Sequence, residues 1–221
     1  MRFISSMNIQ PITNIGIAVI SALSYSLWLL GYSLNKEVMN KLDLSALQSV
    51  GQPHWKLFVM GDVLTGIGCI ILGVLLIKTL AKTRYIKFAS TRVCIAGLMV
   101  FGLFTAVSSI LPSCINESQF CNVNPSNIFD FHDLTGGLAS FGLFFSLVAL
   151  VQLTDNISNI LNKATIFILF IWAISAVLFV SLSFELNTLS IAVQQIFLML
   201  SSLSIVIIPI IINMILKIET S

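Results

Sequence analysis

The chain of 221 residues is 57% hydrophobic and only 9% charged, with a mean hydropathy of +1.01, and so lacks the polar surface needed to cover a water-soluble globule. Its formal net charge of +2 gives no sign of a nucleic-acid partner. What remains is an all-α, membrane-embedded protein.

Six apolar stretches follow one another: Ile15 to Leu34, Leu57 to Leu80, Val93 to Leu111, Phe129 to Leu153, Ala164 to Phe184 and Leu189 to Leu216. About 20 apolar residues at a rise of about 1.5 Å each cross the hydrocarbon core, so each stretch predicts one transmembrane helix. The connections are too short to fold alone, and residues 1–221 read as one six-helix domain. The first stretch exceeds the roughly 7 to 15 residues of a signal-peptide core and has no small-x-small cleavage site, so it is expected to be retained.

Basic residues set the expected orientation. With the N-terminus cytoplasmic, Arg2, Lys78, Lys82, Arg84, Lys87, Arg92, Lys163 and Lys217, eight of the 11 Lys and Arg, fall inside, and Lys36, Lys41 and Lys56 fall outside. Short basic loops stay cytoplasmic, which predicts both termini inside. The acidic residues Glu37, Asp43, Asp62, Glu117, Asp130, Asp133 and Glu185 then lie in outer loops or near outer helix ends, so a polar site would face outward.

The first outer connection, residues 35–56, spaces Val38, Leu42, Leu44, Leu47 and Val50 as a short amphipathic helix lying on the membrane, with Trp55 at the interface; an ordinary connector is the plainer alternative. The second outer loop holds Cys114 and Cys121, the two cysteines outside the spans. In an oxidising compartment they are expected to form a disulfide worth roughly 2.5 kcal/mol. The C-x-x-C spacing of a thioredoxin-like redox pair is absent. Cys69 and Cys94 lie within spans, where cysteine packs as a small apolar residue.

Polar residues within the spans carry the functional signal. Asp62 lies about 8 Å below the outer end of the second span, where a lipid-facing charge would cost about 2.5 kcal/mol or more, so it must face protein or water. At about 100° per residue, Thr65, Gly66, Cys69 and Gly73 share its face, a stripe of small residues on which another helix can approach. In the fourth span Asp133 is followed by Gly136, Gly137 and Ser140, with Asp130 above and His132 at its flank. The runs from Asp62 to Gly66 and from Asp133 to Gly136 look alike, a trace that hairpin duplication or chance would leave. Asp62, Asp130, His132 and Asp133 are therefore the candidate outward polar pocket, with His54, Glu185, Gln194 and Gln195 as further members. Such a set can bind a ligand, serve acid-base chemistry, or simply join helices by hydrogen bonds.

Only two histidines occur, so there is no H-E-x-x-H, no bis-histidine haem pair and no three-histidine zinc cluster, and G-x-S-x-G and P-loop sequences are also missing. No metal and no cofactor are expected. Pro209 is the one mid-helix proline, which argues against the broken helices of an ion-coupled transporter.

Asp62 with Thr65-Gly66, Leu111-Pro112 followed by Cys114, then Cys121, and His132 opening a glycine-containing span together resemble the DUF998 family, although Ser113 stands near where that family carries an acidic residue. The resemblance runs from the first span to the sixth. It implies a small prokaryotic six-helix membrane protein, here in a bacterial inner membrane, and lends no activity. Two function classes remain. One is a membrane protein whose outward pocket binds a lipid head group or small ligand, with membrane lipids as partners and glycine faces for a helix partner or a second copy. The other is a membrane hydrolase or transferase, which needs Asp62 and His132 to converge.

Overall fold

The computed structural model describes residues 9–35, 47–48, 52–81, 83–111, 131–155, 157–182 and 188–220. Among these the elements are α1 (Ile9–Tyr25), a 3-10 segment (Ser26–Leu30), the single turn α2 (Gly31–Leu34), α3 (Trp55–Leu80), a 3-10 turn (Arg84–Lys87), α4 (Ala89–Ile110), α5 (Phe131–Asp155), α6 (Asn159–Leu182) and α7 (Thr188–Thr220). Six spans are long and apolar enough to cross a membrane, the first running from Pro11 to Leu30 through the 3-10 segment. Their outward faces suit hydrocarbon: Phe167 and Val177 are 64% and 65% exposed, an apolar display that water would penalise. α6 begins five residues before the predicted Ala164, because the polar turn ahead of it is helical. Asn162 N donates to Ser158 O at 2.9 Å, and Asn162 Nδ2 donates to Asp155 Oδ1 at 2.7 Å.

Each span packs on its neighbours in sequence, and α7 returns to pack on α1, so the six form a closed ring with a lesser contact of α5 with α7. Partner numbers fall along one helix as they rise along the next, which makes every neighbouring pair antiparallel. Between α1 and α3 the pairs are Asn14 with Thr79, Ser21 with Thr65 and Trp28 with Asp62. Between α4 and α5 they are Cys94 with Ser146 and Ser108 with His132. The seam of α7 with α1 pairs Ser202 with Ser26 and Asn213 with Pro11.

Lipid is as apolar as leucine, so helices in a bilayer associate through close packing and hydrogen bonds rather than through the hydrophobic effect. The glycines locate where packing is closest. A Cβ on Gly97 would lie 2.5 Å from Gly142 O, and one on Gly142 would lie 2.8 Å from Gly97 O. Gly66 and Gly102 face each other in the same way across α3 and α4, and a Cβ on Gly61 would lie 2.8 Å from Ser24 O on α1. Cys69, Leu72, Leu98, Phe101, Leu143 and Leu147 fill the core against these seams.

The α3 stripe is as expected, since Asp62, Thr65, Gly66, Cys69 and Gly73 are all buried. On α5 the stripe is different. Gly137 and Asp133 are exposed, Gly136 is half-buried, and the packed face runs through His132, Thr135, Ala139, Gly142 and Ser146.

Candidate functional site

Antiparallel alternation brings one end of every span to the same side. That side holds the C-terminal ends of α1, α4 and α6 and the N-terminal ends of α3, α5 and α7. Asp62, His132, Asp133, His54, Gln194 and Gln195 therefore share one end of the bundle. Asp130, Glu185, Cys114 and Cys121 lie outside the described residues.

Asp62 stands seven residues into α3, roughly 10 Å along the helix, and is buried. Trp28 Nε1 donates to its Oδ1 at 2.7 Å, and Gln48 Nε2 donates to its Oδ2 at 2.7 Å. Trp28 comes from the 3-10 segment, where α1 tightens as it reaches this end. Its ring lies 5.5 Å from that of Phe58, and Trp28, Phe58 and Leu47 form a small apolar cluster backed by Ile191 and Leu198 of α7. The carboxylate thus sits under an apolar cover with one N–H donor for each oxygen, which a buried carboxyl group requires. One turn deeper, Thr65 Oγ1 lies 3.0 Å from Ser21 O and 2.8 Å from Gly61 O, tying α3 to α1.

Leu47 and Gln48 correct part of the expectation for the first connection. Leu47 is fully buried and Gln48 is 4% exposed, so these two residues enter the bundle instead of lying on the membrane, while Val38, Leu42, Leu44 and Val50 lie outside the described residues. Asn35 Nδ2 donates to Pro53 O at 3.1 Å and ties the two ends of the connection together.

His132 is engaged elsewhere. Its Nδ1 lies 2.9 Å from Ser108 O, and since a carbonyl can only accept, Nδ1 carries the proton. The side chain is 8% exposed and packs against α4, away from the side that receives α3. Gly102 and Ala106 meet Gly66 on α3, whereas Ser108 meets His132 on α5; positions 106 and 108 are about 200° apart round the helix. α4 stands between Asp62 and His132, and the expected pairing of the two gives way to two separate engagements.

The remaining candidates differ in setting. Asp133 is exposed in the first turn of α5, where the positive end of the helix favours an anion. His54 is exposed at the start of α3 with φ 61°, and it is the one non-glycine residue with positive φ among the described residues. Gln194 is buried on α7 and Gln195 half-buried. Among the described residues no three His, Cys, Asp or Glu side chains gather to hold a metal ion.

Trp28 and Gln48 were not among the sequence candidates. A tryptophan inside a span carries an N–H that needs an acceptor, and that was the available signal for Trp28. For Gln48 there was none, because its contact depends on the fold of the connection.

A family model described as a protein of unknown function, DUF998, matches residues 18–211. No curated protein and no solved structure matches the chain.

Proposed function

The chain belongs to the DUF998 family, which has no activity to lend, and from the chain's own geometry we propose that it is a bacterial inner-membrane protein binding a donor-bearing lipid head group or small ligand at Asp62. One observation carries this reading: the second oxygen of a buried carboxylate is held by Gln48, which comes from the connection between the first two spans. A ligand ammonium in place of that amide sets a full positive charge against the carboxylate where the amide offers only a dipole. Leu47, beside Gln48, moves with it and uncovers the site. The distribution of basic residues supports placing this end outside, with Cys114 and Cys121 joined in the same compartment.

The alternative of a hydrolase or transferase asks Asp62 and His132 to share a proton or a water. Their separate partners on two sides of α4 lend it no support.

Trp28 is the natural reporter. With Trp55 and Trp172 replaced by Phe, it is the only tryptophan left of three. Its emission in phosphatidylcholine nanodiscs is expected to shift as phosphatidylethanolamine or free ethanolamine is added, and Asp62→Asn is expected to abolish the shift. An unchanged emission with both amines, or the same shift in Asp62→Asn, overturns the reading.

A further inference from the structure

The membrane face of the seam between α7 and α1 carries a recess of about 390 Å³. Its α1 side runs from Val19 into the 3-10 segment as far as Leu29, and its α7 side runs from Met199 to Val206. Small residues make the floor: Ala22 and Ser202, 8% and 5% exposed, lie between rims at Leu23 and Leu203, 65% and 50% exposed. Ser26 Oγ lies 2.8 Å from Ala22 O and 3.1 Å from Ser202 Oγ, so the hydroxyls of the floor are bonded within the protein and call for no water.

The recess opens at the level of Asp62. Leu29 follows Trp28, whose indole holds the Asp62 carboxylate, and Met199 follows Leu198, which packs on the Trp28 cluster. From Leu29 down to Val19 is roughly 15 Å of helix. A single leaflet, half of a hydrocarbon core about 30 Å thick, has the same depth.

We infer that this recess holds one acyl chain of a phospholipid whose amine head group reaches Asp62, which makes the ligand of that site a lipid drawn from the bilayer rather than a soluble amine. The inference rests on the reading of Asp62 as a ligand site. Length, polarity and position select the occupant: the recess is one leaflet deep, apolar with its two hydroxyls already bonded, and begins beside the carboxylate. A helix is about 10 Å across with its side chains, so 15 Å of it fills on the order of 1,000 Å³ and could only rest on the rims. That would leave Ala22 and Ser202 facing a void and forfeit their dispersion contacts, whereas a hydrocarbon chain is thin enough to reach them.

The test is photolabelling from within the bilayer. Two probes carry the same diazirine midway along one acyl chain, one on phosphatidylethanolamine and one on phosphatidylcholine, and adducts are mapped by peptide mass spectrometry in nanodiscs. The exposed face of α6 at the same end, around Val177 and Val180, reports ordinary lipid contact. The ethanolamine probe is expected to label the recess severalfold more than α6 and severalfold more than the choline probe does. Asp62→Asn is expected to erase the difference between probes, and Ala22→Phe, which fills the floor, to bring recess labelling down to that of α6. Recess labelling no greater than that of α6 overturns the inference, as does equal labelling by both probes or an undiminished difference in Asp62→Asn. Should Ala22→Phe not fold, the two probes on wild type and Asp62→Asn decide the matter. Free ethanolamine separates this inference from the reading beneath it, because it has no chain. A Trp28 emission shift with ethanolamine, together with an unlabelled recess, leaves Asp62 a site for soluble amines and overturns only the lipid; no shift with either amine overturns both.

Discussion

Gly66 on α3 and Gly102 on α4 meet backbone to backbone, each placed so that a Cβ would fall on the carbonyl oxygen of the other. Gly97 and Gly142 repeat the arrangement between α4 and α5, so α4 is gripped on two sides by contacts that only glycine permits. Alanine at Gly66, Gly97, Gly102 or Gly142 must push two backbones apart and is expected to cost about 1 to 3 kcal/mol. Gly137 has nothing within 4 Å of its missing Cβ, so alanine there is expected to be neutral or to stabilise by up to about 1 kcal/mol. Thermal unfolding in detergent separates the two sets, and a tolerated Gly66→Ala would contradict the close packing.

Asp62→Ala removes the acceptor from two buried donors at once. Trp28 and Gln48 each lose a hydrogen bond, at an expected cost of about 1 to 3 kcal/mol per donor. In a double-mutant cycle, Asp62→Ala with Trp28→Phe is expected to show coupling above about 0.5 kcal/mol, and Asp62→Ala with His132→Ala coupling below it. The reverse order of the two couplings would mean that Asp62 and His132 act together.

Reporter fusions address orientation. Fusions after Arg84 and Lys163 are expected to be cytoplasmic and one after Asn116 exported, because eight of the 11 basic residues lie on the first side. An exported reporter at Arg84 would invert the arrangement.

Alkylation addresses the outer cysteines. In the unreduced, denatured protein, Cys69 and Cys94 are expected to be the two labelled positions, with Cys114 and Cys121 protected until reductant is added. Four labelled cysteines without reductant would show the outer pair to be free.

The spans were legible because crossing a bilayer demands a long apolar run, and sequence displays this directly. The buried face of α3 was legible for the same kind of reason: a charged residue and four small ones repeat at helical spacing, and a bilayer leaves Asp62 nowhere to point but inward. On α5 the acidic residue misled. Asp133 is at the helix start and can face outward at little cost, so the register is set instead by His132, which precedes Thr135-Gly136 by the same spacing as Asp62 precedes Thr65-Gly66. Aligned in this way, the two buried polar residues share their spacing to the following Thr-Gly, although His132 is the second residue of α5 and Asp62 the eighth of α3. The partners of Asp62 were out of reach, because Trp28 and Gln48 approach it from 34 and 14 residues away along the chain, and a tightened helix end and a returning connection decide both contacts.

The seam between α7 and α1 bears on how the protein is made. Ser26 and Ser202 are separated by 176 residues, and Asn213 and Pro11 by 202, whereas the other seams of the ring, apart from the lesser contact of α5 with α7, join spans consecutive in the sequence. During synthesis α1 can dock on α3 as soon as that hairpin has entered the bilayer, yet its other flank stays against lipid until the last span emerges from the ribosome. The nascent bundle is therefore an open arc for nearly the whole of translation, and the arrival of α7 is the event that turns it into a ring.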